Sequence, residues 1–351
     1  MKRPLAQLAV CVALGSAAAA RGEAFQRGVC YASAWQSHGV DGYGSPTSTR
    51  TLGRLRRLGV EWIAVTPFGF MASSTATEVT ESHFVETDER LRAEVAHAHA
   101  LGLKVTLKPH LWIGRGDWAG DLAWASDDAW RRWFASYRLF VLGYARLAER
   151  EHYDLFVLGT ELRSATSRDP EAWRSLIADV RRVFQGPITY AANWDEAEHV
   201  PFWDALDYVG VDEYAPIAKT RGAAEPALCA AWNELAKSLE GLSRRTGKRV
   251  LLTELGYRAT RDAAMNPSAW PEHDERPQAD PVHQASCFRA ALQALWGRPW
   301  LAGIYVWKWY SDGRDEQGPT DFSFADKPAE AVLRDYYRRR LAGETKRQGT
   351  P

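Results

Sequence analysis

The chain has 351 residues, of which 46% are hydrophobic and 25% are charged, proportions that are typical of a folded globular protein and exclude a largely disordered one. Lysine plus arginine and aspartate plus glutamate both number 44, so no net field would attract nucleic acid or an anionic membrane surface. We therefore expect no nucleic-acid partner and a substrate that is not recognised through bulk charge.

Residues 1–24 have the pattern of a signal peptide. Lys2 and Arg3 form a basic start, an apolar run covers residues 5–14, and small residues occupy positions 16–20. An uncleaved membrane anchor is the alternative, but the apolar run is shorter than the roughly 20 residues that a spanning helix needs. We therefore expect cleavage, no stable membrane insertion afterwards, and a secreted or periplasmic location.

Three cysteines follow the predicted signal peptide: Cys30, Cys229 and Cys287. Three thiols cannot all pair within one chain, so at most one disulfide is possible. Because Cys30 and Cys287 lie in apolar stretches, we expect them to be buried free thiols. His97 and His99 do not suggest a metal site, because residues two apart on a helix point in different directions. No spacing resembles a zinc site, and the sequence predicts neither a metal nor a cofactor.

From residue 27 onward, short β-type runs alternate with longer amphipathic helical patterns, without a linker-like stretch. This alternation predicts parallel strands that are joined by crossover helices. The predicted strands cover residues 28–32, 62–67, 104–110, 155–160, 188–193, 208–212, 249–253 and 303–307. Eight parallel strands are the number that closes a (β/α)8 TIM barrel.

The predicted helices have apolar residues at three- and four-residue spacing, and Gly59 and Gly247 follow two of them as stop signals. Only residues 201–205 separate the fifth strand from the sixth, so this crossover has a short helix or none. We expect one α/β domain over residues 25–342 and a flexible tail at 343–351, where apolar periodicity is lost. An open doubly wound sheet is the alternative, but no glycine-rich phosphate loop follows the first strand.

Functional residues of such barrels lie at the C-terminal ends of the strands. The candidates at these ends are Trp35, Lys108, His110, Glu161, Asn193, Asp212, Tyr214, Glu254, Trp307 and Trp309. Glu161 follows the fourth strand and Glu254 the seventh, so we expect them to face each other across one barrel mouth. Glycoside hydrolysis uses such a pair. One carboxyl gives its proton to the leaving oxygen, and the other stays ionised to attack the anomeric carbon or to position water.

Each of these candidates also has a purely structural interpretation. An isolated glutamate after an apolar strand is usually a surface residue, although two at these particular strand ends are harder to dismiss. Tyr214 supports the pair, because a phenol beside an ionised carboxylate can donate a hydrogen bond to it, and packing on the rim is the alternative. His110 would contact a sugar hydroxyl or orient another polar group, with a structural histidine as the alternative.

The chain is rich in tryptophan, with 16 residues. Those in predicted loops or at strand ends are Trp35, Trp112, Trp118, Trp194, Trp270, Trp307 and Trp309. Sugar rings have apolar faces that suit flat aromatic side chains, so these tryptophans indicate glycan binding, with core packing as the alternative. Trp130 and Trp133 lie in a helical pattern and are more simply explained by packing.

With these residues in place, the chain resembles glycoside hydrolase family 113, within the clan of retaining (β/α)8 glycosidases that includes β-mannanases. The matching stretches are 27–31 with Trp35, 62–67, 103–110, 156–162, 189–195, 208–214, 252–257 and 303–309. The resemblance implies Glu161 as acid/base, Glu254 as nucleophile, a covalent glycosyl-enzyme and carboxyls about 5 to 5.5 Å apart. The residues implied to line the sugar site are Lys108, His110, Asn193, Tyr214 and Trp307, with Trp35 at the first strand end.

One position departs from the pattern of the clan. An asparagine commonly precedes the acid/base there, whereas this chain has Thr160. The usual contact to the sugar 2-hydroxyl is therefore not carried over, which is compatible with mannose because mannose carries this hydroxyl axially.

We expect a retaining hydrolase of a β-linked polysaccharide or oligosaccharide, most similar to an endo-β-1,4-mannanase and monomeric. A hydrolase of another β-glycan is one alternative. A non-catalytic glycan-binding barrel is a second alternative, but it would need only the aromatic platforms and not the two glutamates.

Overall fold

A computed structural model describes residues 24–36, 40–81, 86–269 and 278–341. Residues 1–23 of the predicted signal peptide, the predicted tail and Trp270 lie outside the described residues. Within these ranges, no helix is long and apolar enough to cross a membrane.

The strands of the described chain form one closed barrel and one small sheet. They are β1 (Gln26–Ala32), β2 (Trp62–Val65), β3 (Phe68–Met71), β4 (Thr80–Glu81), β5 (Lys104–Leu107), β6 (His110–Ile113), β7 (Leu155–Thr160), β8 (Ile188–Asn193), β9 (Val209–Glu213), β10 (Val250–Gly256) and β11 (Leu301–Tyr310). The barrel order is β1-β11-β10-β9-β8-β7-β5-β2, and parallel pairing of β1 with both β11 and β2 closes it. The predicted (β/α)8 barrel is confirmed, and the open sheet is excluded.

Helices surround the barrel. They are α1 (Pro46–Leu58), α2 (Asp88–Ala100), α3 (Asp127–Arg150), α4 (Arg163–Arg168), α5 (Pro170–Val183), α6 (Glu225–Thr246), α7 (Pro281–Leu295) and α8 (Pro328–Tyr337). The Ser126 hydroxyl and the Asp169 carboxylate accept backbone N–H groups at the starts of α3 and α5. Gly59 and Gly247 end α1 and α6 in the left-handed conformation. Between β8 and β9 there is only the 3-10 turn Trp203–Ala205, as predicted.

The third predicted strand, 104–110, is wrong in its extent. The barrel strand β5 ends at Leu107, and β6 begins at His110 and pairs with β3 in the small sheet β4-β3-β6. Pro109 has no N–H to donate to a strand ladder, so the chain changes partners at this residue. His110 therefore extends a second sheet above the barrel rather than ending a barrel strand.

The seventh predicted strand, 249–253, is also longer than expected, because β10 runs from Val250 to Gly256. Glu254 lies within this strand, at a shift in register between Leu252 and Glu254 against β9. A shift of this kind changes the direction of the following side chains.

The cysteines agree with the prediction. Cys30 and Cys287 are buried, Cys229 is partly exposed, and all three are free thiols. Trp133 is fully buried against Trp124 and Tyr137, which confirms the packing interpretation of this helical tryptophan.

Candidate active site

Glu254 is buried in β10 beside Asp212 of β9, to which it is directly paired in the strand register. Both of its carboxylate oxygens accept hydrogen bonds. The Lys108 ammonium group donates to Oε1, and the Tyr214 hydroxyl donates to Oε2 over 2.6 Å. Lys108 also donates to the two oxygens of Asp212 at 3.2 and 3.1 Å. One buried ammonium group is therefore shared by two carboxylates.

The charges of this cluster depend on one another. Burial raises the pKa of Asp212 and the charge of Glu254 raises it further, whereas Lys108 and the Thr253 hydroxyl, 2.7 Å from Oδ1, act to lower it. Burial lowers the pKa of Lys108, but Asp212 and Glu254 raise it by more, so this pKa lies above its usual value. Lys108 therefore stays charged and supplies the positive charge that two buried carboxylates require.

Glu161 directly follows β7, and its side chain faces a different environment. The Trp118 indole N–H donates to Glu161 Oε2 over 2.8 Å. The pKa of Glu161 is raised to about 8: burial is the largest cause and the negative charges of Asp212 and Glu254 add to it, whereas the Trp118 hydrogen bond and the charge of Lys108 act to lower it. At neutral pH Glu161 is therefore mainly a protonated carboxylic acid, and Oε2 acts as the acceptor for the indole.

The two glutamates thus have different hydrogen-bond partners within one barrel mouth. The charge of Glu254 contributes to the raised pKa of Glu161, so the two side chains are close enough to interact electrostatically. Glu254 is matched by a cation and a phenol, whereas Glu161 receives a single indole donor. A proton donor and a carboxylate held apart in this way can act together on one glycosidic bond.

His110 and Trp307 lie beside this pair. His110 Nε2 is 3.6 Å from Glu254 Oε1, and the imidazole stacks on Trp307 with ring centroids 5.8 Å apart. Burial lowers the pKa of His110 well below its usual value, and the nearby Lys108 and Lys308 lower it further, so the imidazole is neutral. A neutral imidazole adds no charge to the site and offers an N–H donor or a lone pair to a substrate hydroxyl.

Three other predicted residues have contacts that do not involve the carboxyl pair. The Asn193 amide group bonds within its own loop, donating to Asp195 Oδ1 and accepting from the Trp194 N–H, both over 3.0 Å. Trp35 follows β1 and is largely exposed. Trp309, expected at the mouth, is fully buried between Phe324 and the Arg54 guanidinium, so that expectation is wrong. Because Arg54 belongs to α1, the Trp309 ring packs against this helix and is not exposed to a substrate.

Sequence reasoning did not distinguish Trp118 from the other loop tryptophans. The Arg163 guanidinium stacks on this indole, 4.7 Å from the ring centroid. Arg163 also forms ion pairs with Asp121 and Asp195, and these contacts hold the indole beside Glu161. A Cβ at Gly120 would lie 2.4 Å from the Trp118 ring, so only glycine leaves room for it. Lys308, buried against Trp307, and Thr253 were missed as well. No periodic pattern marks such contacts, because they join separate loops and strands.

The described residues contain no group of three or more histidine, cysteine, aspartate or glutamate side chains that could hold a metal ion.

The pH dependence of activity follows from the raised pKa of Glu161. If this carboxyl donates the proton, activity is present below its pKa and is lost as the pH rises through about 8. We expect the alkaline limb of the kcat/KM profile to fall in this region, as measured with a mannooligosaccharide, whose leaving group needs a proton, across pH 5 to 10 in the same buffer series. An alkaline limb unchanged in Glu161→Gln would contradict this assignment.

Comparison with known proteins gives a consistent result. The model of Glycoside Hydrolase Family 113 matches residues 33–327. A solved GH113 β-mannanase from Alicyclobacillus acidocaldarius, in complex with ManMIm, is 25% identical, with a TM-score of 0.79 and coverage of 89% of this chain and 97% of that chain. A GH113 β-1,4-mannanase, solved as a complex, is 27% identical, with a TM-score of 0.79 and coverage of 90% and 99%.

A third solved structure, also of a GH113 β-1,4-mannanase, is 24% identical with a TM-score of 0.75, covers 90% of this chain and 100% of that chain, and supports the fold. No match was found among curated proteins. The family match covers most of the chain, including both glutamates and every barrel strand except the first, which ends one residue before the match begins. The chain therefore belongs to glycoside hydrolase family 113, and it is a retaining glycoside hydrolase similar to the β-mannanases of that family.

Proposed function

We propose that this protein is an endo-acting β-1,4-mannanase in which Glu161 is the acid/base and Glu254 is the nucleophile. The observation that carries the assignment is the contrast between the two carboxyls. The pKa of the partly buried Glu161 is raised to about 8, whereas Glu254 accepts hydrogen bonds from the Lys108 ammonium group and the Tyr214 hydroxyl. This contrast assigns proton donation to Glu161 and attack to Glu254.

In the first step, Glu254 attacks the anomeric carbon while the bond from that carbon to the leaving oxygen breaks. Glu161 gives its proton to the leaving oxygen, and a glycosyl ester forms on Glu254. In the second step, Glu161 takes a proton from water as the water attacks the anomeric carbon. The ester bond breaks, Glu254 regains its charge, and the product keeps its original anomeric configuration.

Asp212 has a role in this cycle that follows from the charges. Glu254 loses its negative charge when the ester forms, and Lys108 would then be a buried cation without a carboxylate. Because Lys108 is also bonded to both oxygens of Asp212, its charge stays compensated in the intermediate. The shared cation therefore allows the charge on Glu254 to appear and disappear without leaving a buried ion unpaired.

Mannan as substrate is supported by the likeness to the β-mannanases, and Thr160, which stands where the wider clan commonly has asparagine, is compatible with it. Endo action is supported by aromatic side chains near the C-terminal ends of the strands. Trp35, Trp112 and Trp194 are 56%, 49% and 39% exposed and could each carry one sugar ring of a chain.

A panel of polysaccharides tests the substrate. We expect the protein to release oligosaccharides of mixed length from mannan and glucomannan, and much less from xylan or mixed-linkage β-glucan, as measured by mass analysis of the products. Glu254→Gln prepared in parallel is the control for contaminating activity. Cleavage of xylan or β-glucan without cleavage of mannan would show that the enzyme acts on another β-glycan. Release of single sugars only would contradict endo action.

The location and oligomeric state are a further part of the proposal. The basic, apolar and small-residue pattern of residues 1–24 supports export, and we propose a secreted or periplasmic monomer. N-terminal sequencing of the exported protein should show cleavage near residue 20 or 24, and size-exclusion chromatography should give a monomer mass. Retention of residue 1 in a membrane fraction would contradict export by cleavage.

A further inference from the structure

Glu161 has an unusual backbone conformation. Its φ angle is 52°, in the left-handed region that residues with a side chain rarely adopt. Such a conformation persists only where the surrounding structure fixes it. The residue lies at the junction between β7 and α4, so its backbone determines where the carboxyl stands relative to the barrel mouth.

The two peptide groups that flank the Glu161 Cα are both fixed by β8. The Glu161 N–H donates to the Ala191 carbonyl oxygen over 2.8 Å, and the Leu162 N–H donates to the Tyr190 hydroxyl over 2.6 Å. The first bond constrains rotation about φ of Glu161, and the second constrains rotation about ψ. The acceptor of the first bond is a backbone carbonyl group, whereas the acceptor of the second is the hydroxyl of the Tyr190 side chain.

The Tyr190 hydroxyl is itself oriented by a buried carboxyl group. Because the Leu162 N–H is a donor, the hydroxyl accepts there and directs its own hydrogen to Glu196 Oε1, 2.9 Å away. Glu196 also accepts the Asn193 N–H over 3.2 Å, and the Thr166 hydroxyl lies 2.6 Å from Oε1. Glu196 therefore joins the segment after β7 to the segment after β8.

Packing leaves the Tyr190 ring little freedom. The ring is fully buried and contacts Trp173, Phe202 and Trp203 at centroid distances of 5.4, 5.8 and 6.2 Å. A Cβ at Gly159 would lie 3.1 Å from Tyr190 Cε2 and 2.7 Å from the hydroxyl of Tyr137, so glycine at this position leaves room for both phenols. The hydroxyl is thus presented to Leu162 at a fixed place.

We propose that Tyr190 and Glu196 are positioning residues for Glu161: through the Leu162 N–H they hold the left-handed backbone that aims its carboxyl at the leaving oxygen. This inference rests on the proposed role of Glu161 as acid/base. Both residues are buried, and both act through the peptide group that follows Glu161. Loss of the Tyr190 hydroxyl would leave the Leu162 N–H without its partner and would free rotation about ψ of Glu161.

The test compares two substrates that share the same sugar. A glycoside with a poor leaving group needs the proton from Glu161, whereas a 2,4-dinitrophenyl glycoside does not, and kcat/KM reports only the steps up to formation of the glycosyl-enzyme. For Tyr190→Phe we expect kcat/KM on the poor leaving group to fall about 10- to 100-fold, the size of effect that a misplaced reacting group produces. On the dinitrophenyl substrate we expect less than about a threefold change.

Two further variants, Glu196→Gln and Tyr153→Phe, are measured on the same two substrates. Glu196→Gln keeps the shape of the carboxyl and should show the same selective loss, and it decides the question if Tyr190→Phe does not fold. Tyr153→Phe is the matched control, because it removes a buried phenol that donates to the Leu91 carbonyl oxygen over 3.1 Å, away from Glu161. It should change both substrates equally, even if thermal unfolding shows lower stability.

Glu161→Gln in the same series separates the two claims. If it shows the selective loss while folded Tyr190→Phe and Glu196→Gln show no loss, or equal losses on both substrates, the positioning role is wrong and the proposed function stands. If Glu161→Gln itself loses activity equally on both substrates, the acid/base assignment is wrong. Selective loss in Tyr190→Phe, Glu196→Gln and Glu161→Gln supports both claims.

Discussion

Glu254→Gln is expected to lower kcat by about 10⁴-fold or more, because removal of a nucleophile abolishes the covalent route and leaves only the contributions of binding and charge. An amide is too weak a nucleophile to form the glycosyl ester. The replacement keeps the volume of the side chain, and Lys108 retains both oxygens of Asp212 as acceptors. We therefore expect folding to survive, as measured by thermal unfolding, while product release from mannan and from aryl glycosides is lost.

Glu94→Gln is a matched control for Glu254→Gln. Glu94 is a fully buried glutamate in α2 that accepts hydrogen bonds from the Gly44 N–H and the Ser48 hydroxyl, outside the barrel mouth. Its replacement should leave kcat within about twofold, since only a group in the reacting site changes the transition state directly. Loss of activity in Glu94→Gln but not in Glu254→Gln would contradict the assignment of the nucleophile.

Added azide provides a second readout for Glu254. In Glu254→Ala, the shorter side chain leaves space in which azide can attack an activated glycoside from the face that the carboxylate occupied. The expected product is a glycosyl azide of inverted configuration, identified by NMR. An azide product of retained configuration would instead place position 254 on the acid/base side of the sugar.

Glu161→Gln is expected to have an effect that depends on the leaving group. A positioned general acid contributes about 10²- to 10⁴-fold, and we expect a loss of this size in kcat/KM on mannooligosaccharides. On a 2,4-dinitrophenyl glycoside, whose leaving group departs without a proton, the loss in kcat/KM should be small. The alkaline limb near pH 8 should disappear in this variant, because the group whose raised pKa causes it has been removed.

Trp118→Phe is a control that perturbs Glu161 without removing it. It deletes the indole N–H that donates to Oε2, a bond that acts to lower the pKa of Glu161. The alkaline limb should therefore move to higher pH rather than vanish. An alkaline limb that moves to lower pH would contradict the proposed state of Glu161, in which the carboxyl is neutral and the charged form is the one that the indole stabilises.

The barrel could be predicted from the sequence because buried parallel strands appear as short, nearly continuous apolar runs. The strands at 155–160 and 188–193 have the predicted bounds, and the other predictions differ mainly at the ends. The small sheet of β3, β4 and β6 could not be predicted, because its strands are two to four residues long and lie in a loop region. Such short runs have no distinct period.

The positions of the two glutamates and Tyr214 could be predicted for a related reason. Side chains at the C-terminal ends of barrel strands converge independently of the conformation of the loops, so the strand order alone brings these residues to one mouth. The register shift at Glu254 and the buried direction of Trp309 could not be predicted. Side-chain direction near irregular strand ends depends on the partners across the sheet, and these are not encoded in local periodicity.

Apart from the hydrogen bond from Tyr214 to Glu254, the contacts of the two carboxyls could not be predicted from the sequence. Lys108 was a candidate for sugar binding, but the structure places its ammonium group between Asp212 and Glu254. The Trp118 indole reaches Glu161 from a loop, and the Tyr190 hydroxyl, on the next strand, accepts the N–H of the following residue, Leu162. Residues distant in the chain meet at these points, so only the folded arrangement identifies them.

Covalent trapping tests the central claim most directly. A 2-deoxy-2-fluoro-mannosyl donor with a 2,4-dinitrophenyl leaving group slows both steps, and the good leaving group lets the ester form faster than water removes it. After incubation with the wild-type enzyme, peptide mapping by mass spectrometry should place one sugar on the peptide that contains Glu254, and on that residue. A label on Glu161 or on any other residue would contradict the proposed nucleophile.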